Sequence, residues 1–341
     1  MPLPECKLAP RRQNLSDMNL PPEPKRQPRS FRQVEITAIP PLGKGEQSII
    51  DFHSVINVLN VLRCELMVIG DLLAGNVDLL KSSLTACEEQ LRMMSDHNAT
   101  LRNATMVDDF EKQLIDEITL HRTGTRPDTV EFAESMSNLQ SVLTIMKLRA
   151  REILARSAAP DRWERLNIDD LAESLRQFFV AVAKNSKGRF RVLENAALQT
   201  PKDYYIDLKF ETAGRSAYLP PVFVDVMRDL IANARKYTPP GGDITAALYQ
   251  DDTGTQFVVK DTGCGIPPDE IESVVHYGRR ASNVASVRTL GGGFGLTKAF
   301  LVTKQFGGRF WISSELGQGT DIRIWLPPVS PDLRETQPPM G

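Results

Sequence analysis

"DLIANARKYTPPGG", residues 229–242, is the stretch on which the reading of this chain turns. Asp229, Asn233 and Lys236 lie four and then three residues apart. On a helix that spacing sets all three side chains on one face. Pro239, Pro240, Gly241 and Gly242 then end the helix at once. An acid, an amide and a lysine on one face suit either a solvated helix surface or the polar wall of a binding site. The segments that follow separate the two.

"DTGCGIP" (261–267) comes directly after the apolar strand "QFVV". An aspartate at a strand end can accept a hydrogen bond from an exocyclic amine, and Gly263 and Gly265 let backbone approach a planar ring closely. "GGGFGL" (291–296) precedes a helix. Its glycines let the chain fold over a polyphosphate, and the helix N-terminus favours the same negative charge. "GQGT" (317–320) joins two strands and supplies the Thr320 hydroxyl. Each segment alone is more often a turn than a nucleotide site.

Around these motifs, "YYIDLKFE", "DITAALYQ", "QFVVKDTG", "RFWISSE" and "TDIRIWLP" read as strands, with helices at about 220–237 and 295–306 and in "LAESLRQFFVAVA". They predict a mixed sheet with helices on one face. Further upstream, Phe52, Val55, Leu59, Leu62, Leu66, Ile69 and Leu73 alternate steps of three and four, a heptad seam. A more polar helix is expected to about 121, and a third from about 129 to 157 with Phe132, Met136, Leu139, Val142, Leu143, Met146 and Leu148 as contacts. The fold class is α+β. The expected domains are a disordered basic tail over 1–46, a helical dimerisation bundle over 47–159, the sheet domain over 160–328 and a loose tail over 329–341. Long helices with short turns predict an antiparallel bundle completed by a second copy of the chain.

Composition narrows the classes. Hydrophobic and charged fractions of 41% and 25% are those of an ordinary globular protein, and a net charge of −2 gives no attraction to nucleic acid. No apolar run reaches the roughly 18 residues of a membrane span. Cys6, Cys64, Cys87 and Cys264 show no disulfide or metal spacing, which predicts a reducing, cytoplasmic setting.

The ordered set of helix, DxGxG, GxGxGL and GxGT resembles the GHKL ATP-binding fold, and within it the catalytic domain of bacterial sensor histidine kinases. The resemblance is close over 220–328 and looser over 161–220. It implies ATP and Mg²⁺ as cofactors. It makes Asn233 the Mg²⁺-binding amide, and Asp229 either a partner of the metal's water shell or the group that polarises the attacking atom. Lys236 can reach a phosphate and Tyr237 can cover the adenine face. Asp261 would read the adenine amine, with Gly263, Gly265, Gly291, Gly293, Gly295 and Thr320 as the other fixed points of the pocket. Residues 268–290, with Arg279 and Arg280, would form a lid.

The chain has four histidines, and His53 lies on the heptad helix beside Phe52. Kinases of this family phosphorylate a histidine exposed on the first helix of a dimeric bundle. A neutral imidazole, with a pKa of about 6.5, suits that role. The plainer reading is a histidine that borders the bundle core. The family usually has an acid after the histidine and often a proline five residues on; here Ser54 and Val58 stand there. Asn57 matches the position that can orient a water for dephosphorylating the partner. The implied function is autophosphorylation on His53 from Mg-ATP and transfer to an aspartate of a response-regulator receiver, with a separate sensor partner supplying the signal. The alternatives are a protein serine kinase of the same fold and a nucleotide-gated, non-catalytic dimeric scaffold.

Overall fold

The computed structural model of the protein describes residues 31–122, 129–185, 190–212, 214–286 and 292–329. Its first element is a strand inside the expected tail. β1 (Gln33–Ile36) pairs antiparallel with the strand Arg309–Glu315, Val34 opposite Ile312, and buries Ile36. A helix, α1 (Lys44–Asp51), follows. The reading of 1–46 as a tail therefore fails from residue 33 onward. Four residues with one inward isoleucine are too few for periodicity to show against Pro-rich and Arg-rich flanks. Residues 1–30 lie outside the described residues.

α2 (His53–Ala74) buries the whole predicted seam, Phe52 to Leu73, and stops at Gly75, whose φ of 64° suits a residue without Cβ. The single polar helix expected next is three: α3 (Lys81–Met93), α4 (His97–Thr105) and α5 (Val107–Arg122). Asp96 makes one of the breaks. Its carboxylate accepts from the Ala99 N–H at 3.0 Å, so the side chain caps a new helix. α6 (Val130–Ala158), capped by Thr129, packs along α2 and buries Leu139, Leu143, Met146 and Ile153. Leu148, expected to point inward, is 50% exposed. One apolar core joins α2 to α3, α5 and α6. The seam thus leaves water within a single chain, and a second copy is not needed to hide it.

Beyond α6 run β2 (Glu164–Asn167), α7 (Ile168–Asn185), β3 (Val192–Leu193), β4 (Tyr204–Thr212), β5 (Ser216–Leu219) and α8 (Pro221–Tyr237). Then come β6 (Asp243–Asp251), β7 (Gly254–Asp261), α9 (Gly295–Gln305), β8 (Arg309–Glu315) and β9 (Gly319–Leu326). The main sheet has the order β1-β8-β9-β7-β6-β4-β3, with β3, β4 and β6 parallel and the other pairings antiparallel. β2 and β5 form a separate ladder. Residues of α7, α8 and α9 such as Leu175, Phe223, Val226 and Phe300 share one core with Ile206, Phe257, Phe310 and Ile324. The α+β class and the mixed sheet with helices on one face are as the sequence predicts. Val329 is buried, and residues 330–341 of the expected tail lie outside the described residues.

Candidate nucleotide site

A cavity of about 560 Å³ opens between α8, the turn after β7, the segment before α9 and the first turns of α2. That volume is in the range of small-ligand sites. α8 starts with Pro221 at its first position, where the missing N–H costs nothing. It turns Val222, Phe223, Val226, Leu230 and Ile231 into the core. Asp229, Asn233, Lys236 and Tyr237 then fall on the cavity wall.

Asp261 ends β7 and faces the cavity. Burial pushes its carboxyl up to about 6, although the Gly263 and Thr320 amides donate to it. Both take Oδ1, at 2.8 and 3.2 Å, so neither occupies Oδ2. Thr320 contributes to this wall chiefly through its backbone N–H. Its hydroxyl lies 3.0 Å from that of Ser314. Gly265 sits at φ 66°, and a Cβ there would fall 2.0 Å from the Glu315 carbonyl oxygen. No other residue type fits that crossing.

Asn233 meets α9 where Gly295 begins the helix; a Cβ on Gly295 would come within 2.9 Å of the Asn233 amide nitrogen. Gly293 also lines the cavity, and Gly291 lies outside the described residues. The Lys236 ammonium sits 4.9 Å from the centre of the Tyr237 ring, a cation–π contact on the rim. Asp229 gives Oδ2 to the ammonium of Lys298 at 2.9 Å. That lysine is 3% exposed and was not singled out from the sequence. Its only signal there is a charge inside the otherwise apolar run "GLTKAFLV".

The described residues contain no group of three or more His, Cys, Asp or Glu that could cage a metal. Mg²⁺ takes few ligands from protein and the rest from phosphate and water. One amide oxygen on a glycine-cleared surface, with a carboxylate one turn away, fits that demand.

His53 and Asn57 line the same cavity from the bundle side. His53 is buried, not exposed as the resemblance implied. Its ring packs edge-on against Phe294 of the glycine segment, centres 5.5 Å apart. Nε2 lies 3.2 Å from the Asn57 amide nitrogen, and Nδ1 is buried without a hydrogen-bond partner. With Asn57 donating, Nε2 accepts and Nδ1 carries the proton. Burial pulls the imidazole below its ordinary pKa, with Lys298 and Lys236 acting in the same sense and Asp229 opposing them. The ring is neutral at pH 7.

The expected lid is described to residue 286. It is pinned by Ile271, Val274 and Val275 in the core and by Asn283, which donates to the Gly265 carbonyl at 2.9 Å. Arg279 and Arg280 line the cavity, and Arg280 donates to the Val284 carbonyl. Asp225, one turn before Asp229, also escaped the sequence reading; the shortest of its contacts comes from Arg149 of α6, 76 residues away.

A sheet backed by helices carries this cavity beside its strand ends, the arrangement of a ligand-binding α/β domain. Residues 220–330 of the 341 match the family described as histidine kinase-, DNA gyrase B-, and HSP90-like ATPase. The curated proteins that this part of the chain resembles include two kinases. The adaptive-response sensory kinase SasA of Synechococcus elongatus is 38% identical over 116 residues, 32% of this chain and 30% of SasA. The histidine protein kinase DivJ of Caulobacter vibrioides is 35% identical over 102 residues, 30% of this chain and 17% of DivJ. The chain therefore spans under a third of the length of these relatives. Among solved structures, the catalytic domain of histidine kinase ThkA is 19% identical at a TM-score of 0.35, covering 49% of this chain and 96% of that one. The mycobacterial sensor histidine kinase MprB is 23% identical at the same TM-score, covering 49% and 99%. No helix among the described residues is long and apolar enough to cross a membrane.

Proposed function

We propose that the protein is a histidine kinase that phosphorylates itself on His53 and passes the phosphoryl group to an aspartate of a response-regulator receiver. The observation that carries this is the shared cavity: the bundle histidine and the nucleotide motifs line one space. Adenine would lie against Asp261, its amine donating to Oδ2. The phosphates would run toward Asn233, Lys236 and the glycine segment at the head of α9, where backbone N–H groups and the helix N-terminus meet negative charge. Mg²⁺ held by Asn233 would neutralise charge on the phosphates. Nε2 of the neutral His53 imidazole, once it leaves the Asn57 amide, would bond to the γ-phosphorus as the bond to the ADP oxygen breaks and ADP leaves; the Nδ1 proton then passes to Asp229 or to water. Asn57, on the same helix face, fixes the ring and is placed to orient a water in the reverse, dephosphorylating reaction. Asp229, close enough to bias the imidazole, is the acid that faces His53 where Ser54 offers none.

A homodimer through the bundle is part of this reading. Met67 and Val68 on α2 and Ile145 and Leu148 on α6 are apolar and 37–50% exposed, the kind of surface a second copy covers. A separate sensor and a cytoplasmic setting complete it.

The test is incubation with γ-labelled ATP and Mg²⁺, wild type beside His53→Gln. Acid-labile label on the wild type and none on the variant supports the kinase. Acid-stable label points to a serine kinase of the same fold. No label, with ATP still bound, points to a nucleotide-gated scaffold.

A further inference from the structure

The carboxylate of Asp225 is buried on α8, one turn before Asp229, yet it does not line the nucleotide cavity. Arg149 of α6 approaches its Oδ1 at 2.7 Å and Arg156 of α6 its Oδ2 at 3.9 Å; Arg228 of α8 itself stands 3.5 Å away. Burial pushes the Asp225 carboxyl up, and Lys298 with these arginines outweighs it, so the group is held below the usual carboxylate range. Arg156 has a second contact. Its Nη2 donates to the Asp51 carbonyl at 2.8 Å, at the end of α1 and two residues before His53. Arg156 thus hydrogen-bonds the backbone that leads into His53 and stands within ion-pair range of the helix that carries Asp229 and Asn233. A buried carboxylate is costly without its cations, so this cluster is favourable only when α6 and α8 are held together.

We propose that Asp225, with Arg149 and Arg156, is a positioning element that seats His53 in the nucleotide cavity of its own chain, so that phosphoryl transfer runs within one chain. The proposal rests on the kinase reading for the transfer and on geometry alone for the seating. His53 packs against Phe294 of the same chain, beside the glycine segment that heads α9. Asp225 and the arginines touch neither phosphate nor imidazole. Their effect is on how often the ring is in place.

Seating and chemistry can be read separately on the full chain. Seating is followed by carbethoxylation of His53 with diethyl pyrocarbonate, measured by mass spectrometry; chemistry is followed by γ-labelled ATP. Asp225→Asn and Arg149→Ala should each speed His53 modification about tenfold and slow labelling about tenfold, with ATP affinity unchanged. Arg149→Lys, which keeps the charge, should restore both to within about twofold of wild type. Unchanged carbethoxylation in Asp225→Asn, loss of its ATP affinity, or failure of Arg149→Lys to rescue would overturn the positioning role. Chains bearing His53→Gln, co-expressed with chains bearing Asn233→Asp, should label no faster than the Asn233→Asp chain alone; faster label on the Asn233→Asp chain means transfer across chains and overturns the proposal. If the wild type takes no label at all, the kinase reading falls, and carbethoxylation alone decides the seating.

Discussion

The sheet-side wall of the cavity and its bundle-side wall are built on different scales of sequence. Asp229 to Tyr237, Asp261 to Gly265, Gly293 to Gly295 and Thr320 come from short runs, each carrying its own geometry: a helix face, a tight turn, a helix N-terminus. Asn233 needs only Gly295 to make room for it, and Asp261 is fixed by amides two residues and one strand away. His53 and Asn57 sit on a helix whose pattern reports only that it is amphipathic. The contacts at that end of the helix come from far along the chain: Arg156, 105 residues from the Asp51 carbonyl it holds, and Phe294 on the far domain. Local chemistry can be read from a line of text; a seat made by distant partners cannot.

If the walls are as separate as this, damage to one should spare the other. Leu66 lies at the centre of the bundle core with no exposed surface. Leu66→Ala should cost about 3 kcal/mol of bundle stability in chemical denaturation, while ATP affinity by calorimetry stays at the wild-type value. A tenfold loss of affinity would mean that the bundle shapes the nucleotide wall as well. Asn233→Asp probes the sheet side. It sets a second negative charge near Asp229, so the variant should melt like wild type yet label His53 about a hundredfold more slowly, a loss of roughly 2.7 kcal/mol. Labelling at the wild-type rate would remove Asn233 from the metal site.

Asp261 comes next in size. Asp261→Ala should weaken ATP at least tenfold, about 1.4 kcal/mol. The acceptor must be ionised, so wild-type affinity should fall as pH drops through about 6. Stability runs the other way. This carboxyl is raised from 3.8, so the folded chain binds its proton more tightly than the unfolded one and loses stability as pH rises from about 4 to 6. Asp261→Asn should therefore be more stable than wild type at pH 7.5 without nucleotide, with the gain vanishing below pH 4. An equal gain at both pH values would rule out a buried charge. The smallest effect is on the outer edge. The Arg309–Glu35 pair is largely solvent-exposed, so Glu35→Ala should cost under about 1 kcal/mol. A larger loss in denaturation would show that β1 depends on that pair more than on Ile36.

The same contrast explains which elements the sequence revealed. The five longer strands each carry enough alternation to be recognised, and the α2 seam is buried residue for residue. β1, β2, β3 and β5 have two to four residues and are strands because a neighbour pairs with them. The split of one polar helix into α3, α4 and α5 rests on Asp96 acting as a cap, a signal masked by the polar residues around it. Leu148 fits the apolar spacing of α6 but lands outward. Ala150 and Ile153 are buried on that helix instead, a choice made by packing against α2. Lys298 and Asp225 were hidden for the opposite reason: their closest charge partners are 69 and 76 residues away.

β1 also fixes an order of synthesis. Glu35 and Arg309 are 274 residues apart, so the strand must wait for a neighbour made 274 residues later. The helical bundle is completed in between, which makes it an insertion in the sheet domain, tethered to that domain at both ends. Trimming the chain to begin at residue 47 would therefore remove the outermost strand of the sheet. The backbone N–H and C=O groups of β8 would then face solvent and be open to pairing with another molecule. Recombinant fragments of the sheet domain should stay monodisperse only when residues 33–36 are supplied, in the chain or as a peptide.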